Sequence, residues 1–117
     1  MATTELQAIV RFRFHDGALE EFKRLSVECM AIVRAKDTGT LQYDTFFNDD
    51  ETECIVIERF RDSDALIRHS ENLAHLMDAI VATGTVSGEL LGDLSEELRA
   101  NFTSDGPVQL FTPWARM

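Results

Sequence analysis

Residues 41–60 read LQYDTFFNDDETECIVIERF, and this stretch decides the fold. Leu41, Tyr43, Thr45 and Phe47 alternate with Gln42, Asp44 and Phe46, the period of two that a strand with one buried face requires. Cys54, Val56, Glu58 and Phe60 repeat the pattern. Between them Asn48-Asp49-Asp50-Glu51-Thr52-Glu53 is wholly polar and reads as a turn, so the two strands form an antiparallel hairpin. If Phe47 faces Cys54, counting back sets Tyr43 opposite Glu58 on the same face.

Upstream of the hairpin, Ala8, Val10, Phe12 and Phe14 alternate with Ile9, Arg11 and Arg13, giving a first strand. Asp16-Gly17 breaks it and can cap a helix with Glu20 and Glu21 in its first turn. Phe22, Leu25, Cys29 and Val33 form one apolar stripe along that helix. Asp37-Thr38-Gly39 ends it, with Gly39 available as a left-handed cap. Downstream, Asp62 or Ser63 can cap a second helix. At about 100° per residue Leu66, His69, Leu73, Leu76, Met77 and Ile80 share one stripe, Asn72 lies at its edge and His75 well off it. A break near Glu71-Asn72 would divide this helix in two. Thr85 to Leu91 reads as a fourth strand, Ser95 to Phe102 as a short helix, and Val108 to Phe111 as a last short strand.

Strand, helix, strand, strand, helix, strand is the split βαβ, ferredoxin-like order of an α+β domain, βαββαβ. Right-handed crossovers place both helices on one face of a four-stranded antiparallel sheet. The face bearing Ala8, Val10, Phe12, Phe14, Leu41, Tyr43, Phe47, Val56 and Phe60 is the more apolar and belongs under the helices. The other carries Ile9, Phe46, Ile55 and Ile57 among Arg11, Arg13, Asp44 and Arg59. An antiparallel sheet tolerates one wet face, but four large apolar groups form a patch that a homodimer would bury, with the charged residues pairing across the interface.

A chain of 117 residues with no repeat or linker suits a single domain over 1–117. Its net charge of -10, from 21 acidic and 11 basic residues, argues against nucleic-acid backbones and anionic membrane surfaces as partners. Cys29 and Cys54 sit in apolar patterns and outside any CxxC spacing. No signal-like segment and no apolar run near 18 residues is present, so free, buried thiols in a reducing cytoplasm are expected. A reactive cysteine would need an electropositive, partly exposed niche instead.

The run Tyr43…Glu58-Arg59-Phe60-Arg61-Asp62…Ala65…His69…His75-Leu76-Met77 resembles the pattern of the antibiotic biosynthesis monooxygenase (quinol monooxygenase-like) family. The resemblance implies a dimeric α/β barrel that binds a small, often aromatic molecule between sheet and helices. It also implies oxidation of quinols or polyketide-like phenols with molecular oxygen, with neither metal nor flavin. Phe60 stands where the family often has Trp, and the His69–His75 spacing is one residue longer than usual. The haem-degrading branch uses an Asn on the first strand, which is lacking here, and a Trp where this chain has Phe60, which points away from haem.

Read from the residues alone, Glu58 is the anomaly, because an unpaired carboxylate on the helix-facing side of a sheet is costly. It must be neutral, paired or open to a wet pocket. His69, interrupting the apolar stripe of the helix above, is the natural partner, and a carboxylate neighbour would raise its pKa. Tyr43, Glu58 and His69 are therefore the catalytic candidates. Phe12, Phe14 and Phe60 would close the pocket, and Asn72 joins them as a substrate-binding candidate. His69 or Glu58 would take a phenolic proton, and Tyr43 would orient the substrate. The same three residues would equally serve as a satisfied network tying sheet to helix in a non-catalytic, small-molecule-binding or structural dimer. His69 and His75 do not make a metal site, since six residues on a helix set them about 120° apart. No glycine-rich phosphate loop is present, and no cofactor is expected. Trp114 in the C-terminal tail reads as a docking residue for the partner subunit or the body of the domain.

Overall fold

The structure is a computed structural model that describes residues 3–117. It contains β1 (Leu6–Phe14), α1 (Leu19–Lys36), β2 (Thr40–Phe47), β3 (Glu53–Phe60), α2 (Ser63–Val81), β4 (Gly84–Leu91), α3 (Glu96–Arg99) and β5 (Val108–Phe111). The strands lie in the order β2-β3-β1-β4-β5, and the first four pair antiparallel as the ferredoxin-like order requires. β5 departs from the expected purely antiparallel sheet: it adds to the edge of β4 in parallel, making the sheet mixed and five-stranded. The connection through α3 reverses the chain a second time, which a tight hairpin cannot do.

Both long helices cover one face. Phe22, Leu25, Cys29 and Val33 of α1 pack with Phe12, Cys54 and Val56, while Leu66 of α2 joins Leu6, Ala8, Phe60 and Leu90. Helix α2 runs unbroken through Glu71-Asn72, and Asp62 caps it by accepting the Ala65 N–H at 2.8 Å. Helix α1 begins differently from expectation. Ala18 occupies its N-cap position with no side-chain cap, and Gly17 makes the turn with φ of 80°, a conformation glycine adopts without steric cost. Its C-terminal end is Asp37 in an extended conformation, and Gly39 is not a left-handed cap.

In the hairpin the pairing is Phe47 with Cys54 and Tyr43 with Glu58. A register shift between Thr40 and Gln42 turns Leu41 outward, so it is exposed rather than under the helices. On the open face Phe46 and Ile55 are exposed. The arginines there find partners within the chain: Arg11 with Glu89, Arg13 with Glu53 and Arg59 with Glu5. Trp114 is 98% exposed and does not pack on the body of the domain. Among the described residues no helix is long and apolar enough to cross a membrane.

Candidate functional site

The site is built where the hairpin meets the C-terminal end of α1 and the first turns of α2. Cross-strand pairing fixes Tyr43 beside Glu58, both pointing up from the sheet. The Asp62 cap sets the start of α2, and two turns later His69 points down between them, on the buried stripe with Leu66 and Leu73. Its ring lies 5.3 Å from Tyr43 and 5.0 Å from Phe60, centroid to centroid, in edge-on and tilted contact, so aromatic rings flank it.

Each ring nitrogen of His69 meets a carboxylate. Nε2 is 3.2 Å from Glu58 Oε1, and Nδ1 is 2.6 Å from Oδ2 of Asp37. Asp37 is the functional-site residue that the sequence pattern does not reveal. It ends α1, and its extended backbone turns the side chain inward until it is 2% exposed. There the carboxylate accepts the Thr40 hydroxyl at 2.6 Å and the Asn72 amide at 2.8 Å. The signal available in the sequence was stoichiometric: a buried imidazole has two nitrogens to satisfy, and Glu58 supplies one partner.

These contacts set the titration of the group. Burial works against ionising Asp37, but the hydrogen bonds from Thr40, Asn72 and His69 outweigh it and hold the carboxyl below its ordinary range. Burial would likewise lower His69, yet the contact and charge of Glu58, then those of Asp37, raise it above the ordinary imidazole value. Tyr43 is pushed far upward by burial, by the Glu58 charge and by the neighbouring Cys29 thiol. It is a neutral phenol, able to orient a ligand but not to remove a proton.

Tyr43, Glu58 and His69 form one end of a cavity of about 470 Å³ between the sheet and α2. Ala8, Val10, Phe12, Val56 and Leu90 make its floor, and Leu66, Leu73 and Ile80 its roof. Ser70, Ala74, Met77 and Val81, along the exposed edge of α2, open it toward Phe102 and Val108. No lysine or arginine lines it. A wider space of about 590 Å³ at the chain ends, beside Gln7 and Arg116, contains none of the candidate residues.

The four residues expected to contact substrate divide. Phe12 is on the cavity wall. Phe14, Phe60 and Asn72 are not on that wall. Phe14 lies at the far end of β1 and packs tilted against Phe22, ring centroids 4.7 Å apart. Phe60 is fully buried behind the His69 ring. Asn72 faces the end of α1, where Asp37 takes its amide. Met77, Val86, Phe102 and Val108 also line the cavity, and they come from segments whose approach no local pattern encodes.

Solved structures share this architecture. MupZ from Pseudomonas fluorescens superimposes with a TM-score of 0.76 at 21% identity, over 98% of this chain and 94% of that one. Rv0793 from Mycobacterium tuberculosis gives 0.67 at 25% identity, over 79% and 97%. A variant of SnoaB, a cofactor-independent oxygenase from Streptomyces nogalater, gives 0.63 at 23% identity, over 75% and 91%. No curated protein matches the chain in sequence. The sequence model of the antibiotic biosynthesis monooxygenases matches residues 6–79, more than half of the chain. On that match the protein belongs to the antibiotic biosynthesis monooxygenase family.

Proposed function

We propose that this protein is a cofactor-independent monooxygenase that oxidises a small phenol or quinol with molecular oxygen. The observation that carries the reading is an apolar cavity of about 470 Å³ whose only ionisable lining groups among the described residues, Tyr43, Glu58 and His69, converge at one end. That volume suits a two- or three-ring aromatic. Its lining offers a neutral ring many apolar contacts and one place for a hydroxyl.

The Glu58–His69 pair takes the hydroxyl proton, and the resulting phenolate is rich enough in electrons to reduce oxygen. One oxygen atom bonds to a ring carbon and the other leaves as water. A hydroquinone and oxygen thus give a hydroxyquinone and water, all four electrons coming from the substrate. Apolar walls keep bulk water from the reactive intermediates. The family membership and the oxygenase among the structural neighbours support this chemistry.

A second reading has its own observation: among the described residues no buried side-chain nitrogen or oxygen lacks a partner. A closed network of that kind is what a strut between sheet and helix needs in a non-catalytic binding or structural dimer. Oxygen uptake with a panel of reduced naphthoquinones and phenols separates the two. For the enzyme, Glu58→Gln and His69→Ala lower turnover about 10²–10⁴-fold. No turnover across the panel, with both variants losing stability while ligand binding is unchanged, would leave the strut.

A further inference from the structure

His69 is held at the cavity wall by groups that fix its protonation. Asp37 approaches Nδ1 from the end of α1, and Glu58 approaches Nε2 from β3. Tyr43 on β2 and Phe60 on β3 cover the ring, with the Cys29 thiol of α1 behind Tyr43. Asn72, one turn along α2, is committed to Asp37. Two donors, the Thr40 hydroxyl and the Asn72 amide, converge on the Asp37 carboxylate and help keep it ionised, and an ionised carboxylate can only accept from the ring nitrogen it meets. Nδ1 is therefore the donor of its pair.

Nε2 faces an oxygen as well, so a ring carrying both protons satisfies both contacts at once, and such a ring has no lone pair left to act as a base. Glu58 is placed differently. Its Oε1 is committed to His69, while Oε2 takes no hydrogen bond from the described residues. Glu58 lines the cavity, and since no buried side-chain oxygen among the described residues is without a partner, its carboxylate is accessible from that space.

We infer that Asp37 is the positioning residue of the site: it holds His69 as an imidazolium, and Glu58, not His69, takes the proton of the bound hydroxyl. This assignment rests on the monooxygenase reading above and divides its machinery. The substrate proton passes to Glu58 Oε2, and the fixed imidazolium beside it stabilises the negative charge left near the ring. No lysine or arginine shares that task along the wall.

Nitrogen NMR of the full chain labelled at histidine reads the ring directly. At neutral pH His69 is expected doubly protonated in the wild type. Asp37→Asn is expected to leave it neutral at the same pH. With α-naphthol as the probe, Glu58→Gln should weaken binding at least about tenfold, the loss of one charged hydrogen bond. Wherever oxygen uptake is measurable, Asp37→Asn should lower kcat about 10²-fold through misplacement of Glu58, with KM little changed. A neutral His69 in the wild type at neutral pH overturns the assignment. So does α-naphthol bound equally by Glu58→Gln while its hydroxyl perturbs Nε2. The ring state is read without turnover, so its failure is distinct from a failure to oxidise any quinol.

Discussion

Gly39 lies so close to Ala65 that a methyl group on it would stand 2.5 Å from the Ala65 Cβ. This contact seats the first turn of α2 on the start of β2, and the Arg61 N–H donating to the Gly39 carbonyl at 2.8 Å locks it. Asp37 and Thr40 flank Gly39, so the same contact brings the Asp37 carboxylate under His69. Gly39→Ala should cost about 1–3 kcal/mol by forcing backbone apart in a packed site. Urea denaturation checks the cost, and the histidine NMR signal should show Asp37 drawn away from His69.

The pH dependence of stability follows from the Asp37–His69 pair. His69 is raised on folding, so its contribution is full below the unfolded value of about 6.5 and is lost as pH rises through the folded one. Asp37 is lowered, so its contribution is full above about 3.9 and is lost as pH falls through its folded value. Wild type should therefore exceed Asp37→Asn most between about pH 4 and 6.5, by about 1.5–3 kcal/mol, with the gap narrowing on both sides. Urea midpoints of the two proteins across the pH range test this, and a gap that widens above neutrality would contradict it.

The cavity opens along the exposed edge of α2, where Ala74 is one of the smallest lining groups. Ala74→Phe should narrow that mouth while changing stability by no more than about 0.5–1 kcal/mol, as surface changes usually do. Binding of α-naphthol, followed by fluorescence, should weaken more than about tenfold, a loss of about 1.4 kcal/mol or more.

Both cysteines are structural. Cys29 and Cys54 are buried, burial raises both thiols, and Cys54 is pushed to about 11. A thiol-reactive dye should label neither in the folded protein near neutral pH and both after denaturation. Fast labelling of native protein would refute this burial.

The open sheet face should pair two copies of the chain. Phe46 and Ile55 are exposed on it with Ile9 and Ile57 beside them. The arginines of that face are already paired within the chain, leaving the apolar groups as the drive for association. Sedimentation should show a dimer, and Phe46→Glu should shift it to monomer by burying unpaired charge at the seam.

What could be read without coordinates was whatever repeats locally. Alternation in residues 41–60 gave the hairpin and set Tyr43 opposite Glu58, because a strand's period of two leaves few registers that bury one face. The stripe of α2 put His69 on its buried side for a similar reason. The pairing of Asp37 with His69, 32 residues apart, had no such signature. Asp37 looks like any helix-ending residue until Gly39 settles against Ala65, and that close approach depends on the path of two helices over a sheet. The outward turn of Leu41 at a register shift and the parallel docking of β5 are likewise products of packing. Periodicity thus determined which face each side chain takes. Only the assembled tertiary structure decided which side chains from distant segments meet, because their contacts depend on close packing between elements and not on order within any one of them.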